Sequence, residues 1–559
     1  MKTIGLSVLI LGVWCMMQAE MLNSISHYGI TWTFDRNYEC GRFITGDWYV
    51  VGPVTVTSVI PLPSGGRNGS MCNPITGLQA YDTRIPSYAE SLSVHFPVAL
   101  PVNSSLVSSI SLTEEDCNCS LANGTKGTRS LAGVCIPYET TRPMLKTAAV
   151  LTCVAKVPDR PGFRPGFCGT QKTIYPVSGI RWDQLPKLLP VQPLPDISYL
   201  IRGLQRPWVS HITDWVSRSL HPMENMLDYH EKIFNFYKDV SLVCLIDVDK
   251  RDSLVIKYIQ HGIDMHAMVI NGHGGSGTAK WPILFAGIML DEKVMSAIFL
   301  NTTSKTPFRE DWMTYYGDQG TSSLSSKIIA KERCWTGYVV PAGIHKGKAV
   351  MWRQDDGDPE HEHLHPSEWE QIPPSGGGCK HETYRVINSI NWPGIALSVL
   401  LMHGKDLWNH DAYFDYCDRW MSETMTTRID EMKPYCDMRS GYGSAGSDFA
   451  DTMWKTYRVT VDNVVKNNKK YNKEISAGMK IEYPMNSIMQ FNVPGKVLSM
   501  RVINAAGRQI CDLDSYKITS DGSISSGTLI NKFSVEPGIY WYQITSETGR
   551  LYGRVVKSK

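Results

Sequence analysis

A carboxamide and an imidazole lie two residues apart on a glycine-rich turn, Asn271-Gly272-His273-Gly274-Gly275. An imidazole can exchange a proton near neutral pH, so acid–base chemistry could take place on this turn. The residues before the turn have apolar side chains at helical spacing, and Pro282 suits the first position of a second helix. We therefore expect Asn271 and His273 in a helix–helix connection at one end of a helical bundle. Alternatively, the glycines only end the first helix, and His273 satisfies a backbone carbonyl.

The length and charge of the chain limit what it can be. It has 559 residues, of which 42% are hydrophobic, and a formal net charge of +2. One core cannot organise a chain of this length, and a typical domain of about 100 to 200 residues suggests about three domains. The small net charge and the lack of a binding motif argue against nucleic acid as a partner, so any preference for a charged polymer must be local. The glycines after Asn271 also lack the Gly-Lys-Ser/Thr ending of a P-loop.

The start of the chain indicates export. Residues 1–19 combine Lys2 with an apolar run from Ile4 to Trp14 and end at a small residue, which is typical of a cleaved signal peptide. No later segment is long and apolar enough to span a membrane, so we expect a secreted or cell-surface protein. Seven of the 14 cysteines lie between Cys40 and Cys168, and in an exported protein this clustering favours disulfides over metal ligation.

The character of the sequence changes twice along the chain, which predicts a multidomain α+β protein. Residues 25–190 have short alternating runs separated by turn signals, typical of a β-sandwich-like domain. After a proline-rich linker, residues 195–465 have amphipathic helical patterns joined by short loops, as in a complete or incomplete α/α toroid. Pro282 and Pro393 stand at two candidate helix starts, although the second could be a kink. Residues 475–559 return to strands and predict a small C-terminal β-sandwich.

Two parts of the chain resemble known protein classes. The helical region resembles exported carbohydrate-active proteins with an α/α toroid, and the nearest functional analogy is with toroidal polysaccharide lyases. The last 70 or so residues resemble the small sandwich that directs type IX secretion, which implies secretion machinery as a partner; the alternative is an accessory β-domain. The first resemblance depends on Tyr384-Arg385, Trp392-Pro393-Gly394-Ile395-Ala396-Leu397, Trp408–Tyr416 and Asp418–Met421, and the second on Met500–Asn504, Pro537–Tyr540 and Arg554–Lys557.

The resemblance to lyases implies a secreted enzyme that cleaves a uronic-acid-containing polysaccharide by β-elimination, with no required cofactor. Such a reaction needs a group that neutralises the uronate carboxylate, a base, and an acid for the leaving oxygen. The resemblance assigns Asn271 to the carboxylate and His273 to the base. Tyr315 or Tyr316 would protonate the leaving oxygen. Arg309 would be a further charge partner, and Arg385 would lie near the cleft.

A basic stretch in the helical region supports an anionic polysaccharide as the substrate. Seven basic or histidine side chains against the single acid Glu332 would attract an anionic polymer locally. Aromatic neighbours could stack on sugar rings; the alternative is a solvated face. The basic stretch comprises Lys327, Lys331, Arg333, His345, Lys346, Lys348 and Arg353, and the predicted substrate-binding residues are Trp335, Tyr338, Trp352, Arg333, Arg353 and Tyr384.

A polar stretch after the basic one is a candidate metal site. His361, His363 and His365 alternate, so on an extended segment they would project to one side and could bind zinc or another divalent ion. The acids of residues 355–362 could hold calcium, although their spacing does not match a calcium-binding helix–loop–helix motif. The alternative is an exposed polar loop.

Two other functions stay open on the sequence alone. A glycoside hydrolase on the same scaffold would need two carboxylates beside the scissile bond, and Asp311, Asp318, Glu382 and Asp411 are available. A non-catalytic glycan-binding protein would use the aromatic side chains only to bind sugar.

Overall fold

The computed structural model describes residues 19–75, 77–138, 143–212, 215–227, 229–272, 278–297, 308–317, 336–353, 362, 364–365, 367–368, 377–423, 432–435, 441–475, 497–504, 509–513, 538–546 and 549–557. Only the backbone is described for residues 215, 230 and 377–381 and for the described residues beyond 461. The chain divides into two compact units, Met1–Tyr457 and Arg458–Lys559. The predicted α+β class is confirmed, with a β-rich N-terminal domain followed by a helical region.

The N-terminal domain is built on a curled half-barrel sheet of eight strands. The strands of the sheet are β1 Glu20–His27, β2 Ile30–Arg42, β3 Trp48–Val51, β4 Val54–Ile60, β5 Ser70–Cys72, β6 Val98–Leu100, β7 Ser104–Ser111 and β11 Leu145–Val154. They follow the order β5-β7-β11-β3-β2-β4-β6, and β1 pairs with β2 outside this path. The pair β11–β3 is parallel, and the other pairs are antiparallel. A separate three-stranded sheet contains β8 Cys119–Ser120, β9 Lys126–Arg129 and β10 Cys135–Pro137.

Both faces of the central strand β11 are buried, because the sheet separates two cores. Alternate residues of a strand point to opposite faces. Ala149 and Leu151 accordingly belong to a core within the β-rich domain, together with Trp32 of β2. Ala148 and Val150 belong to a larger core that also contains the buried side chains of the helical region. The helices therefore cover one face of the sheet.

The helical region centres on the long helix α3, Arg251–Ile270, which is buried over most of its length. Gly262 of α3 allows the next helix, α4 (Lys280–Leu290), to approach closely, because a Cβ at this position would overlap the carbonyl oxygen of Pro282. Helices begin at Lys280 and at Trp392, so the second candidate start is a new helix and not a kink. The helices are α1 Ile197–Gly203, α2 His230–Val243, α3 Arg251–Ile270, α4 Lys280–Leu290, α5 Lys293–Ser296, α6 Arg309–Trp312, α7 Gly377–Ser389, α8 Trp392–Leu401, α9 Lys405–Trp408, α10 Asp411–Ser422 and α11 Asp448–Ile475. A short hairpin pairs β12 Thr314–Tyr316 with β13 Val350–Trp352.

The C-terminal unit contains a four-stranded antiparallel sheet in the order β15-β14-β16-β17. Its strands are β14 Val497–Asn504, β15 Gln509–Leu513, β16 Gly538–Ser546 and β17 Gly549–Lys557. The strands predicted at Met500–Asn504 and from Gly538 onward therefore exist.

One disulfide joins Cys119 to Cys135, within the three-stranded sheet. Six further cysteines whose side chains are described have free thiols: Cys40, Cys72, Cys117, Cys153, Cys168 and Cys244. The helices in the described ranges include none with the length and apolar character that crossing a membrane requires.

A buried arginine joins the β-rich domain to α3. Arg164 follows β11 and is 1% exposed. Its guanidinium donates two hydrogen bonds to the carboxylate of Asp264 on α3, at 2.9 and 2.5 Å, and its Nε lies 3.2 Å from Asp47 Oδ2. Burial alone would raise the pKa of Asp47, but the charge of Arg164, together with His27 at 3.7 Å and the hydrogen bond from the Thr45 hydroxyl, outweighs burial, so the pKa is lowered.

We expect Arg164→Met to reduce the free energy of unfolding by about 3–5 kcal/mol, because it leaves two carboxylates buried without their cation. Urea denaturation followed by tryptophan fluorescence measures this loss. The matched control is Arg181→Met, which removes a partly exposed ion pair with Asp183 and should cost less than about 1 kcal/mol. Equal losses for the two variants would contradict the structural role of Arg164.

Candidate functional site

A cavity of about 500 Å³ lies between the β-rich domain and the helices. Three parts of the chain form most of its wall: the loop after β11, the second half of α3, and the start of α5. Its lining is more polar than apolar, unlike that of most small-molecule sites, and this suits a hydrophilic ligand. The lining comprises Asn103, Gly166, Cys168, Thr170, Gln171, Lys172, Thr173, Tyr175, Ile263, His266, Ala267, Ile270, Glu292, Val294 and Met295.

Lys172 places a cation in the wall of this cavity. Its Nζ donates to the carbonyl oxygens of Gly166 at 2.8 Å and of Phe167 at 3.1 Å. Burial lowers the pKa of Lys172 to about 8. The amine therefore stays mostly protonated at neutral pH, and it is less well solvated than a surface lysine, which strengthens its attraction for an anion.

His266 of α3 supplies an imidazole that can accept a proton. The residue is 6% exposed, and its Nε2 atom has no hydrogen-bond partner within the described part of the chain. Burial lowers the pKa of His266, and the nearby charge of Glu292 only partly opposes this effect. The imidazole is therefore neutral at neutral pH, the form that acts as a general base.

Tyr175 supplies a phenol that keeps its proton. Burial, with a smaller contribution from the negative charge of Glu292, raises its pKa to about 12. Glu292 is itself fixed as the N-cap of α5, where its Oε1 atom accepts a hydrogen bond of 3.0 Å from the backbone N–H of Val294. Lys172, His266, Tyr175 and Glu292 are called the cavity set below. Together they offer a cation, a base and a proton donor.

Asn271 lies at the end of α3, next to the loop that lines the cavity. Its Nδ2 donates to the carbonyl oxygen of Ala267 at 2.7 Å, so the carboxamide caps its own helix. Gly169 has a φ of +65°, and a Cβ there would overlap the carboxamide of Asn271. A glycine at 169 is therefore needed where the loop crosses the end of α3. The predicted base His273 lies outside the described residues.

Tyr316 is buried beneath His345, away from the surface. Tyr316 is 2% exposed, and its hydroxyl donates to Asp415 Oδ2 at 2.6 Å. The ring of His345 stacks on it with 4.2 Å between centroids, and His345 Nε2 lies 3.1 Å from Asp411 Oδ2. Lys405 Nζ lies 3.2 Å from the other oxygen of Asp411. Tyr316, His345, Asp411 and Asp415 form the tyrosine–histidine cluster.

The two carboxylates of this cluster have opposite pKa shifts. Burial raises the pKa of Asp415. Burial would also raise the pKa of Asp411, but the charge and hydrogen bond of Lys405, together with His345, lower it overall. Two neighbouring carboxylates with separated pKa values can take different roles, one as acid and one as anion.

Tyr315 and the residues of β13 pack into the interior. Tyr315 is 4% exposed and contacts Met351, and Tyr338 packs against both. The Arg353 guanidinium carbon lies 5.1 Å from the Tyr315 ring centroid, and its Nε donates to the carbonyl oxygen of Trp312 at 2.7 Å. Trp352 is fully buried. Tyr315, Trp352 and Arg353 are therefore buried, whereas Tyr338 is partly exposed.

Arg385 belongs to a buried charged cluster of two arginines and three glutamates. It is 2% exposed and contacts the carboxylates of Glu362, Glu382 and Glu423 at 2.8–3.0 Å. Arg419 shares Glu362 and Glu423 with it. Burial alone would raise the pKa of Glu362, but the two arginines lower it to about 2. Arg385 is thus fully engaged in holding α7 and α10 together.

The remaining residues predicted from the sequence do not line the cavity or lie outside the described residues. Arg309 begins α6, and Tyr384 is half-buried on α7. His365 is exposed, and its Nδ1 lies 2.9 Å from Ser367 Oγ. In the described part of the chain, no three His, Cys, Asp or Glu side chains are grouped so that they could hold a metal ion. Arg333, Trp335, His361 and His363 lie outside the described residues.

Comparison with protein-family models, with curated proteins and with solved structures finds no match to this chain. Its function must therefore be argued from the site itself.

The cavity set was missed by the sequence analysis, although one signal for it was present. His261, Asp264 and His266 are polar residues within a helix that is otherwise apolar and buried. Buried polar side chains need partners or a function, so their presence in such a helix marks a region to inspect. Lys172 and Tyr175 had no comparable signal, because they stand in an irregular loop.

We expect the acetylation rate of Lys172 to reach half its maximum near pH 8, because burial lowers its pKa to about that value. Competitive labelling with acetic anhydride, read by mass spectrometry of peptides, measures this midpoint. The exposed Lys232 gives the internal reference for reagent decay. A midpoint for Lys172 at about pH 10.4, the ordinary value for lysine, would show that the amine is not desolvated.

Proposed function

We propose that the protein is a lyase that cleaves a uronic-acid-containing polysaccharide by β-elimination in the cavity beside α3. The observation that carries the proposal is the cavity set. It combines a desolvated cation, a neutral imidazole whose Nε2 has no partner among the described residues, and a protonated phenol. These are the three chemical roles that β-elimination beside a carboxylate requires.

Each member of the cavity set has one role in the proposed reaction. Lys172 neutralises the uronate carboxylate, which stabilises the enolate-like intermediate. His266 Nε2 removes the proton from the carbon beside that carboxylate. The electron pair forms a carbon–carbon double bond and breaks the bond to the 4-linked oxygen, which takes a proton from Tyr175. Glu292 positions the phenol of Tyr175 and helps to keep it protonated.

The substrate class and the wider architecture rest on the sequence. The resemblance of residues 195–465 to toroidal lyases and the basic stretch from Lys327 to Arg353 favour an anionic polysaccharide. The proposal includes an α/α toroid in the helical region and a sandwich-like sorting domain at the C-terminus. Export by a signal peptide over residues 1–19 belongs to the same proposal. The roles that the resemblance assigns to Asn271, at the carboxylate, and to His273, as the base, stay predictions from the sequence.

Incubation with alginate, glucuronan, ulvan and glycosaminoglycans tests the proposal. A lyase produces unsaturated uronate ends, which absorb in the ultraviolet. We expect one of these polymers to produce that absorbance and His266→Asn to reduce the rate by about 10²- to 10⁴-fold, because it removes the general base. Tyr175→Phe should reduce kcat with a smaller effect on KM.

The matched controls are His345→Asn and Tyr316→Phe, which make the same changes in the tyrosine–histidine cluster. Both should retain the lyase rate within a few fold, with far-UV circular dichroism confirming that all variants fold. If His345→Asn abolishes the absorbance while His266→Asn does not, the reaction takes place at the tyrosine–histidine cluster and the proposed site is wrong.

A glycoside hydrolase is the second candidate, and the opposite pKa shifts of Asp411 and Asp415 favour it. The two residues are four apart on α10, so their side chains lie on one face of the helix. A glycosidase uses such a pair, one carboxyl as acid and the other as base or nucleophile. New reducing ends without ultraviolet absorbance, lost in Asp411→Asn, would identify this activity. Retention on a glycan gel with neither product would identify a glycan-binding protein.

A further inference from the structure

A second, much smaller cavity lies against the ion pair of Arg164 with Asp264 and is called the small cavity below. Four parts of the chain enclose it: the loop between β2 and β3, the segment after β11, the segment after α1, and the middle of α3. Its volume is about 10 Å³. A polar cavity needs about 10–15 Å³ to hold a water molecule, so the small cavity has room for one water and for no larger ligand. Its polar lining includes Thr45, Asp47, Arg164, Arg206, Gln260 and Asp264.

One carboxylate oxygen of Asp47 has no hydrogen bond within the described part of the chain. The residue is 3% exposed. Its Oδ2 atom accepts from the hydroxyl of Thr45 at 2.6 Å, whereas the nearest group printed for Oδ1 is His27 Nε2 at 3.7 Å, which is beyond hydrogen-bond distance. A buried acceptor without a donor is costly, so the fold is more stable if a donor reaches Oδ1.

Gln260 of α3 also has a buried oxygen without a donor. The residue is 5% exposed. Its Nε2 donates to the carbonyl oxygen of Arg164 at 2.9 Å, which fixes the orientation of the carboxamide. Its Oε1 has no hydrogen-bond donor among the described residues. Two residues in the wall of the small cavity therefore each have an acceptor that lacks a donor.

Two arginines in the same wall have N–H groups that lack acceptors. Arg164 Nε lies 3.2 Å from Asp47 Oδ2, but the direction of its N–H does not suit a hydrogen bond. Arg206 pairs with Glu224 through another nitrogen, at 2.9 Å, and its buried Nε has no acceptor in the described ranges. The wall of the small cavity thus offers two acceptors without donors and two donors without acceptors.

Water matches this set of groups better than an ion does. A water molecule has two hydrogens to donate and two lone pairs that accept, and buried waters typically make about three hydrogen bonds to polar groups that otherwise lack partners. A cation would leave both N–H groups without acceptors and would lie beside two guanidinium charges. An anion would be repelled by the carboxylate of Asp47.

We infer that the small cavity binds one water molecule. The water donates to Asp47 Oδ1 and to Gln260 Oε1 and accepts from an arginine N–H of the wall. It thereby links the loop between β2 and β3 to α3, beside the ion pair of Arg164 with Asp264. The water is part of the contact that joins the β-rich domain to α3, and its binding does not depend on the proposed lyase activity.

A crystal structure of the full chain, at a resolution that shows ordered solvent, tests the inference. We expect density within about 2.7–3.2 Å of both Asp47 Oδ1 and Gln260 Oε1. Crystals soaked in rubidium chloride separate water from a cation, because rubidium gives an anomalous signal and water does not. An anomalous peak in the small cavity, or a structure in which protein groups fill it and hydrogen-bond to both oxygens, would overturn the inference.

Oxygen-17 relaxation dispersion of water, which counts long-lived internal waters, tests the inference in solution. Gln260→Met removes an acceptor and keeps the length of the side chain, so we expect a single water to be lost from the count. The matched control Gln184→Met makes the same change at a partly exposed position and should leave the count unchanged. An unchanged count in folded Gln260→Met would contradict the inference, and the crystal structure of the unsubstituted chain decides the question if that variant fails to fold.

Discussion

The ion pair of Arg164 with Asp264 is the constraint on which the candidate site depends. It fixes the segment after β11 against α3, although the two parts of the chain are 100 residues apart. A few residues further along the same segment, Gly166 approaches α3 so closely that a Cβ would overlap Ala267. Lys172 and Tyr175 lie on this segment, and His266 lies on α3. The cavity set is therefore assembled by a contact between the β-rich domain and the helical region.

The buried charged cluster differs from the cavity set, because each of its charged side chains has an oppositely charged partner within the protein. Burying a single charge is costly, so Arg385 and Arg419 are stable in the interior only because Glu362, Glu382 and Glu423 accompany them. Such a cluster holds β13, α7 and α10 in place and has no group left for a substrate. Lys172 differs from these arginines because its hydrogen-bond partners are neutral carbonyl oxygens. These partners do not compensate its positive charge.

The sequence predicted the local structure better than the site. Alternating residues predicted the β-rich domain, and prolines predicted helix starts near Pro282 and Pro393, because these signals depend on neighbours along the chain. The cavity set depends on long-range contacts that no local pattern encodes. Tyr316 was expected to protonate the leaving oxygen and Trp352 to bind sugar, but an aromatic side chain stabilises a core equally well, and here both are buried. Arg385 was expected near the cleft from the resemblance to lyases. Its buried cluster could not be predicted from a local pattern, because Glu362 and Glu423 are distant in sequence.

A crystal structure of His266→Asn with a bound uronate oligosaccharide tests the central claim most directly. The substitution removes the proposed base, so the uncleaved oligosaccharide should remain in the cavity. The account predicts a uronate carboxylate within about 3.2 Å of Lys172 Nζ, with the glycosidic oxygen at hydrogen-bond distance from the hydroxyl of Tyr175. An oligosaccharide bound instead beside Asp411 and Asp415, with the cavity free of sugar, would contradict it.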